Sequence, residues 1–264
     1  MADRSVDLWP RPPVLPRPVV MDQRWERLVF LHWRVEPHIV APLLPRGIAP
    51  DNHDGFTYVG LIGFEMVGAG LGYGRPVPHL GTFGEINVRL YSRDGDGRRG
   101  VVFRSLDATR AAVVLATNAA GVRYRWSHID ILDSGVDDPE RTVGYRCRRL
   151  APPHRNATTD FVVAPGTRDM SDDPLSVFLT ARWGMHTSVA GRPVFVPNTH
   201  RRWPLRDASL VRCDDDLIAA AGLGALATRP PDSMLYSDGV RTQFGRPYLA
   251  TPVRPGRAEV DERR

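Results

Sequence analysis

The chain has 264 residues, 42% of them hydrophobic and 25% charged, with a formal net charge of +5 and a pI near 9.7. That length supports one sizeable core or two small ones, with one domain the expectation, and no run of about 18 apolar residues is present to cross a bilayer as a helix. All 35 residues counted as lysine plus arginine are arginine. A guanidinium stays protonated and cannot act as an amine nucleophile, so lysine Schiff-base chemistry is excluded.

The basic balance raises nucleic-acid binding, because phosphate neutralisation dominates such affinity. The clusters "GDGRRG", "YRCRRL" and "NTHRRW" are short and scattered, and none sits in an RNA-binding, zinc-finger or basic-helix pattern, so no nucleic-acid partner is expected. The first twenty residues lack an apolar segment followed by a small-residue cleavage site, which gives the expectation of a cytoplasmic protein with no membrane partner. Cys147 and Cys213 form neither a CxxC pair nor a disulfide framework and read as reduced thiols.

In chain order, residues 1–21 carry five prolines and read as a flexible or draped arm. Residues 22–250 form one domain, and 251–264 a second tail. "ERLVFLHWRV" (26–35) and "FTYVGLIGFEM" (56–66) have the aromatic and branched content of strands, with a short helix between them. "VGAGLGYG" (67–74) is expected to be a mobile loop, since its glycines lack a dinucleotide-binding spacing. "FGEINVRLYS" (83–92) and "VVFRSL" (101–106) flank the Asp-Gly turn chemistry of a hairpin. Asp107 is expected to cap an Ala-rich helix over 108–120 that stops at Gly121. Strands follow over 122–132, 142–150 and 159–165. Asp173 and Pro174 then start a helix over 175–183. Strands over 192–198, 208–213 and 232–240 enclose a further helix over 214–226. "GLGALA" (222–227) fits G-x-G-x-x-A, but ends a helical pattern instead of following a strand. Many strands, few helices and no βαβ rhythm imply an α+β fold, mainly antiparallel β.

The stretch 83–92 raises the functional question. At a two-residue period Ile86, Val88 and Leu90 point one way, and Glu85, Asn87, Arg89 and Tyr91 the other. Such a face is either solvated or the polar lining of a cavity. His32 alternates with Phe30 and Arg34 and reads equally as a core histidine or a cavity-wall donor. His186 and His200 flank a segment that would bring them together as a hairpin. No histidine spacing marks a metal site, and no G-x-S-x-G marks a serine hydrolase. No cofactor is expected.

Eight blocks in order, "LVFLHWRV", "LLPRGI", "DGFTYVGLIGFEM", "FGEINVRLYS", "GVVFRSLDATRAAVV", "FLTARWGMHT", "THRRWPL" and "LYSDGV", resemble the YqjF-like (DUF2071) family. That family looks like a distant relative of acetoacetate decarboxylases. The resemblance therefore implies a cone-shaped, largely closed antiparallel β-barrel with a few outer helices. "FGEINV" resembles the decarboxylase strand that supplies an acid to the cavity, with Glu85 at the acid's place. Tyr124 stands where that family's Schiff-base lysine falls. The resemblance thus implies Glu85 as general acid or base and Tyr124 as a donor to oxyanion charge. Arg89, Arg104, Asn87 and His32 become the substrate-binding groups for a small organic acid or carbonyl compound. The alternative is a non-catalytic binder or scaffold on the same fold. Related barrels raise homo-oligomerisation by analogy, without any residue demonstrating it.

Overall fold

Runs of branched and aromatic side chains at a two-residue period build most of the described structure as strands. A computed structural model describes residues 9–72, 81–109 and 124–254. The strands are β1 (Met21–Val35), β2 (Ala49–Pro50), β3 (Thr57–Leu71), β4 (Phe83–Arg93), β5 (Arg99–Ala108), β6 (Tyr124–Asp133), β7 (Val143–Arg149), β8 (Thr158–Asp169), β9 (Gly184–Val189), β10 (Arg192–His200), β11 (Arg206–Asp215), β12 (Ser233–Phe244) and β13 (Tyr248–Leu249). Among the described residues two short α-helices interrupt them, α1 (Pro37–Val40) and α2 (Pro174–Thr180). The fold is mostly antiparallel sheet with few helices, as expected. The parallel pairings among the described residues are β5 with β6 and β5 with β9.

The strand pairings run in two closed circuits. One passes from β4 through β5, β6, β7, β8, β11, β12, β1 and β3 back to β4; the other returns from β5 through β9 and β10 to β12. Both share the wall β12–β1–β3–β4–β5. One face of that wall carries Val29, Leu31, Val59, Leu61, Ile86, Val88 and Leu90 in an apolar cluster with Tyr145, Phe161 and Ile218. The other face carries Phe30, Ile62, Phe64 and Phe83 against Trp203 and Leu205, with Tyr58 and Tyr91 packed on Phe178 of α2. Close approach fixes small residues in the wall: a Cβ at Gly63 would run into the Tyr145 ring.

Local expectations meet the structure unevenly. Asp173 caps α2 as its sequence predicts, its carboxylate accepting from the Ser176 backbone N–H. The proline-rich arm is draped where it is described: the Trp9 indole donates to the Ala181 carbonyl, and the Thr199 hydroxyl to the Pro13 carbonyl. The expected loop over 67–74 is corrected in its first part, since Val67–Leu71 continue β3 and pair with β1 as far as Met21 opposite Leu71. Residues 73–74 lie outside the described residues. Asp107 is not a helix cap. It is the ninth residue of β5, fully buried, with both carboxylate oxygens held by Arg149 at 2.7 and 2.8 Å. The expected helix over 108–120 has its first two residues in or just beyond β5, and the rest lies outside the described residues. The helix expected over 214–226 is a short π turn, Ala219–Leu223, followed by a 3-10 turn, Gly224–Leu226. Gly222 at φ 89° breaks its regularity.

Candidate functional site

β4 presents Glu85, Asn87, Arg89 and Tyr91 on the face opposite Ile86, Val88 and Leu90, and that face is not solvated. Glu85 and Asn87 are 3% exposed and Tyr91 is fully buried. His32 of β1, also fully buried, joins the same face: its Nε2 lies 2.7 Å from the Tyr91 hydroxyl. β6 begins at Tyr124, whose hydroxyl donates to Glu85 Oε2 at 2.9 Å. The Asn87 side chain lies near enough to Glu85 to favour its charged form. Four of the residues singled out in the sequence, Glu85, Asn87, Arg89 and His32, thus occupy one wall, and Tyr124 reaches it from the neighbouring strand.

Arg104 does not. A register shift between Val88 and Arg89 leaves Arg104 as an extra residue on β5, and such a bulge re-aims its side chain. Its guanidinium donates to the carbonyls of Leu43 and Ala221, beside the apolar cluster on the opposite face. His186 and His200 also stay apart. The β9–β10 hairpin forms, but His186 faces Phe195 across it and bonds to Ser92. His200 lies beyond that ladder, packed at tilted angles between Trp183 and Trp203.

Burial sets the protonation states on this wall. It pushes Glu85 up from 4.5 to about 7, and the nearby Asp107 carboxylate adds to the rise, while donation from Tyr124 and the nearby Asn87 side chain oppose it. Tyr124 is pushed well above 10, first by burial and then by the Glu85 charge, so it remains a phenol. Burial, reinforced by the cations Arg89 and Arg182, drives His32 well below 6.5 and keeps it neutral. Its Nδ1 is buried with no partner among the described residues, as is Asn87 Oδ1. Polar atoms left so are costly unless something else satisfies them.

Sequence reading missed two members of this wall, Arg182 and Asp51. Arg182, just beyond α2, is buried; it bonds to Asp51 and to the Phe178 carbonyl and lies 4.9 Å from the Tyr91 ring centroid. The block "FLTARWGMHT" contains Arg182, but its partner lies 131 residues away, beyond any local pattern. Among the described residues no cluster of three or more His, Cys, Asp or Glu is placed to hold a metal ion. None of them forms a helix long and apolar enough to cross a membrane. An open cleft of about 750 Å³ lies elsewhere, lined by Arg24, His200, Arg201, Arg241 and Gln243 among others. None of the six residues chosen from the sequence lines it.

Comparison with solved structures defines the class. An acetoacetate decarboxylase-like enzyme from Sphingomonas wittichii RW1 superposes with a TM-score of 0.58 at 14% identity, over 89% of this chain and 93% of that one. The enduracididine biosynthesis enzyme MppR superposes at 0.59 and 14% identity, over 89% of this chain and 88% of that one. The chain therefore shares the acetoacetate decarboxylase-like fold. It belongs to the DUF2071 family, described as an uncharacterized conserved protein, which matches residues 22–241. The uncharacterized protein YqjF of Bacillus subtilis (strain 168) is 26% identical over 199 residues, 72% of this chain and 76% of YqjF.

Proposed function

We propose that the wall of Glu85, Asn87, Arg89 and His32, inside a cone-shaped β-barrel, is a small-molecule site. Its ligand bears a carboxylate or carbonyl group, and Glu85 is its acid–base group. The observation that carries this reading is Glu85 itself: a buried carboxyl that accepts from the Tyr124 phenol and has its pKa pushed up to about 7. A carboxyl poised there is divided between acid and base at neutral pH, the condition under which proton transfer is most effective. As carboxylate it takes a proton from the carbon next to a carbonyl; as acid it returns one to the adjacent carbon or oxygen. Tyr124, kept as a phenol, donates to the charge that develops on oxygen in between. With no lysine in the chain, the reaction class is a lyase, hydratase or isomerase step that forms no imine. MppR, which shares the fold, has been captured with pyruvate and with a condensation product of pyruvate. A carbonyl acid is thus the class with which to begin.

A second reading is a non-catalytic binder, favoured by the phenol of Tyr124 at the place of the decarboxylase amine. Mass spectrometry of the purified protein for retained small molecules tests binding. Turnover across a panel of keto and enol acids then separates the readings. The enzyme reading expects activity that Glu85→Gln abolishes while the circular dichroism spectrum is unchanged. Inertness of the wild type across the panel overturns it.

A further inference from the structure

The charges around Tyr91 do not balance. The guanidinium groups of Arg89 and Arg182 lie 5.5 and 4.9 Å from its ring centroid, and Arg99 stands over the neighbouring Phe178 ring. One carboxylate, Asp51, serves both Arg182 and Arg99. Arg89 donates to the Tyr91 hydroxyl at 3.2 Å and the Leu179 carbonyl at 3.4 Å, both neutral. His32, bonded to the same hydroxyl, adds no negative charge. Among the described residues three cations therefore face one anion, with Asp51 and Arg182 buried.

The buried Arg182 is compensated by Asp51, so the excess positive charge sits on the partly exposed Arg89 and Arg99, where an incoming anion would complete the balance. Arg182 Nη2 is also buried and donates to nothing among the described residues. Resting on the reading of this wall as a ligand site, we infer that a ligand carboxylate docks on Arg182 and Arg89 beside Tyr91, with the rest of the ligand extending along β4 toward Glu85. Asn87, whose Oδ1 has no partner among the described residues, lies midway and offers its acceptor to a hydroxyl on the ligand.

Strand geometry sets the ligand's length. Glu85 and Arg89 are four residues apart on β4, or about 13 Å between Cα atoms at about 3.3 Å per residue. Side chains standing roughly perpendicular to the strand keep about that spacing at their heads, and a hydrogen bond of about 3 Å at each end then leaves about 7 Å, the span of an extended chain of about five or six carbons. The ligand class is thus a medium-chain dicarboxylate or keto acid, anionic at the Arg182 end and reactive at the Glu85 end. A two-carbon acid fills only one end.

Adipate and acetate are the probes. Calorimetry on the wild type is expected to show saturable adipate binding at least tenfold tighter than acetate. Arg182→Met and Arg89→Met each weaken adipate at least tenfold, and Arg182→Lys restores part of the loss. Because Arg182→Met also breaks a buried pair and could unfold the chain, a wild-type measurement stands beside it. Adipate should raise the His32 titration midpoint in imidazole NMR, since a bound anion offsets the two cations that hold His32 neutral. A purely structural Arg182 would not produce that shift. No saturable adipate binding, or binding that leaves His32 unmoved and is equal in Arg89→Met, overturns the inference. Adipate binding without turnover tests the anion site alone, and the Glu85→Gln turnover experiment tests the chemistry alone, so either reading can fail by itself.

Discussion

The Tyr124 hydroxyl donates to Glu85 Oε2 at 2.9 Å, joining the first residue of β6 to the third of β4 in a buried pair. The two groups respond differently to the same burial. Tyr124 is pushed so far up that it never ionises at workable pH, while Glu85 arrives at about 7. The pair therefore holds one fixed donor and one proton that exchanges near neutrality.

That displaced proton makes stability depend on pH. The folded value of Glu85, about 7, lies above the ordinary 4.5, so between these values the folded protein holds a proton that the unfolded chain has lost. Stability from this group is full below 4.5, falls as pH rises to about 7 and is level beyond, a loss of about 3 kcal/mol at about 1.4 kcal/mol per pH unit. Glu85→Gln keeps an acceptor for Tyr124 and removes the titration. Urea denaturation from pH 4.5 to 8 should show the variant gaining on the wild type as pH rises, by up to about 3 kcal/mol.

The ion pair between Asp107 and Arg149 is buried on both sides, at 0% and 2% exposure, and Ser127 donates to the same carboxylate at 2.8 Å. Asp107→Asn leaves the guanidinium without its counter-ion and should destabilise the fold by about 3–5 kcal/mol. Replacing both partners with apolar residues, Asp107→Leu with Arg149→Met, should cost clearly less than the sum of the single changes. A double-mutant cycle in chemical denaturation reads the difference.

The Asp173 carboxylate accepts from both the backbone N–H and the hydroxyl of Ser176. Asp173→Ala removes this cap and should cost about 1 kcal/mol, whereas Asp173→Asn should cost about half of that or less. Thermal denaturation of the three proteins checks the order.

What could be read from the sequence was local or periodic. The two-residue alternation of β4 separates Glu85 and Asn87 from Ile86 and Val88, and the Asp-Pro start of α2 carries its own chemistry. Asp107 misleads because an acid before an Ala-rich run looks like a cap; its partner Arg149 is 42 residues on and joins it only through tertiary packing. Arg104 misleads because one bulge on β5 breaks the alternation that would have put it opposite Arg89, on the face that carries Glu85. The glycines after Met66 read as a loop, yet β1 is long enough to pair with them and hold them extended. Arg182 and Asp51 escape notice because neither sits in a pattern, and only the fold brings a guanidinium from beyond α2 to the acid preceding β3.

The protonation of Glu85 is the centre of the account, and carbon-13 NMR of its side-chain carboxyl across pH measures it directly. The wild type should titrate with a midpoint of about 7, and Tyr124→Phe, which removes a donor to the charged form, should move the midpoint higher still. A midpoint near 4.5 that ignores Tyr124→Phe would contradict the account, because the carboxyl would then be an ordinary solvated acid.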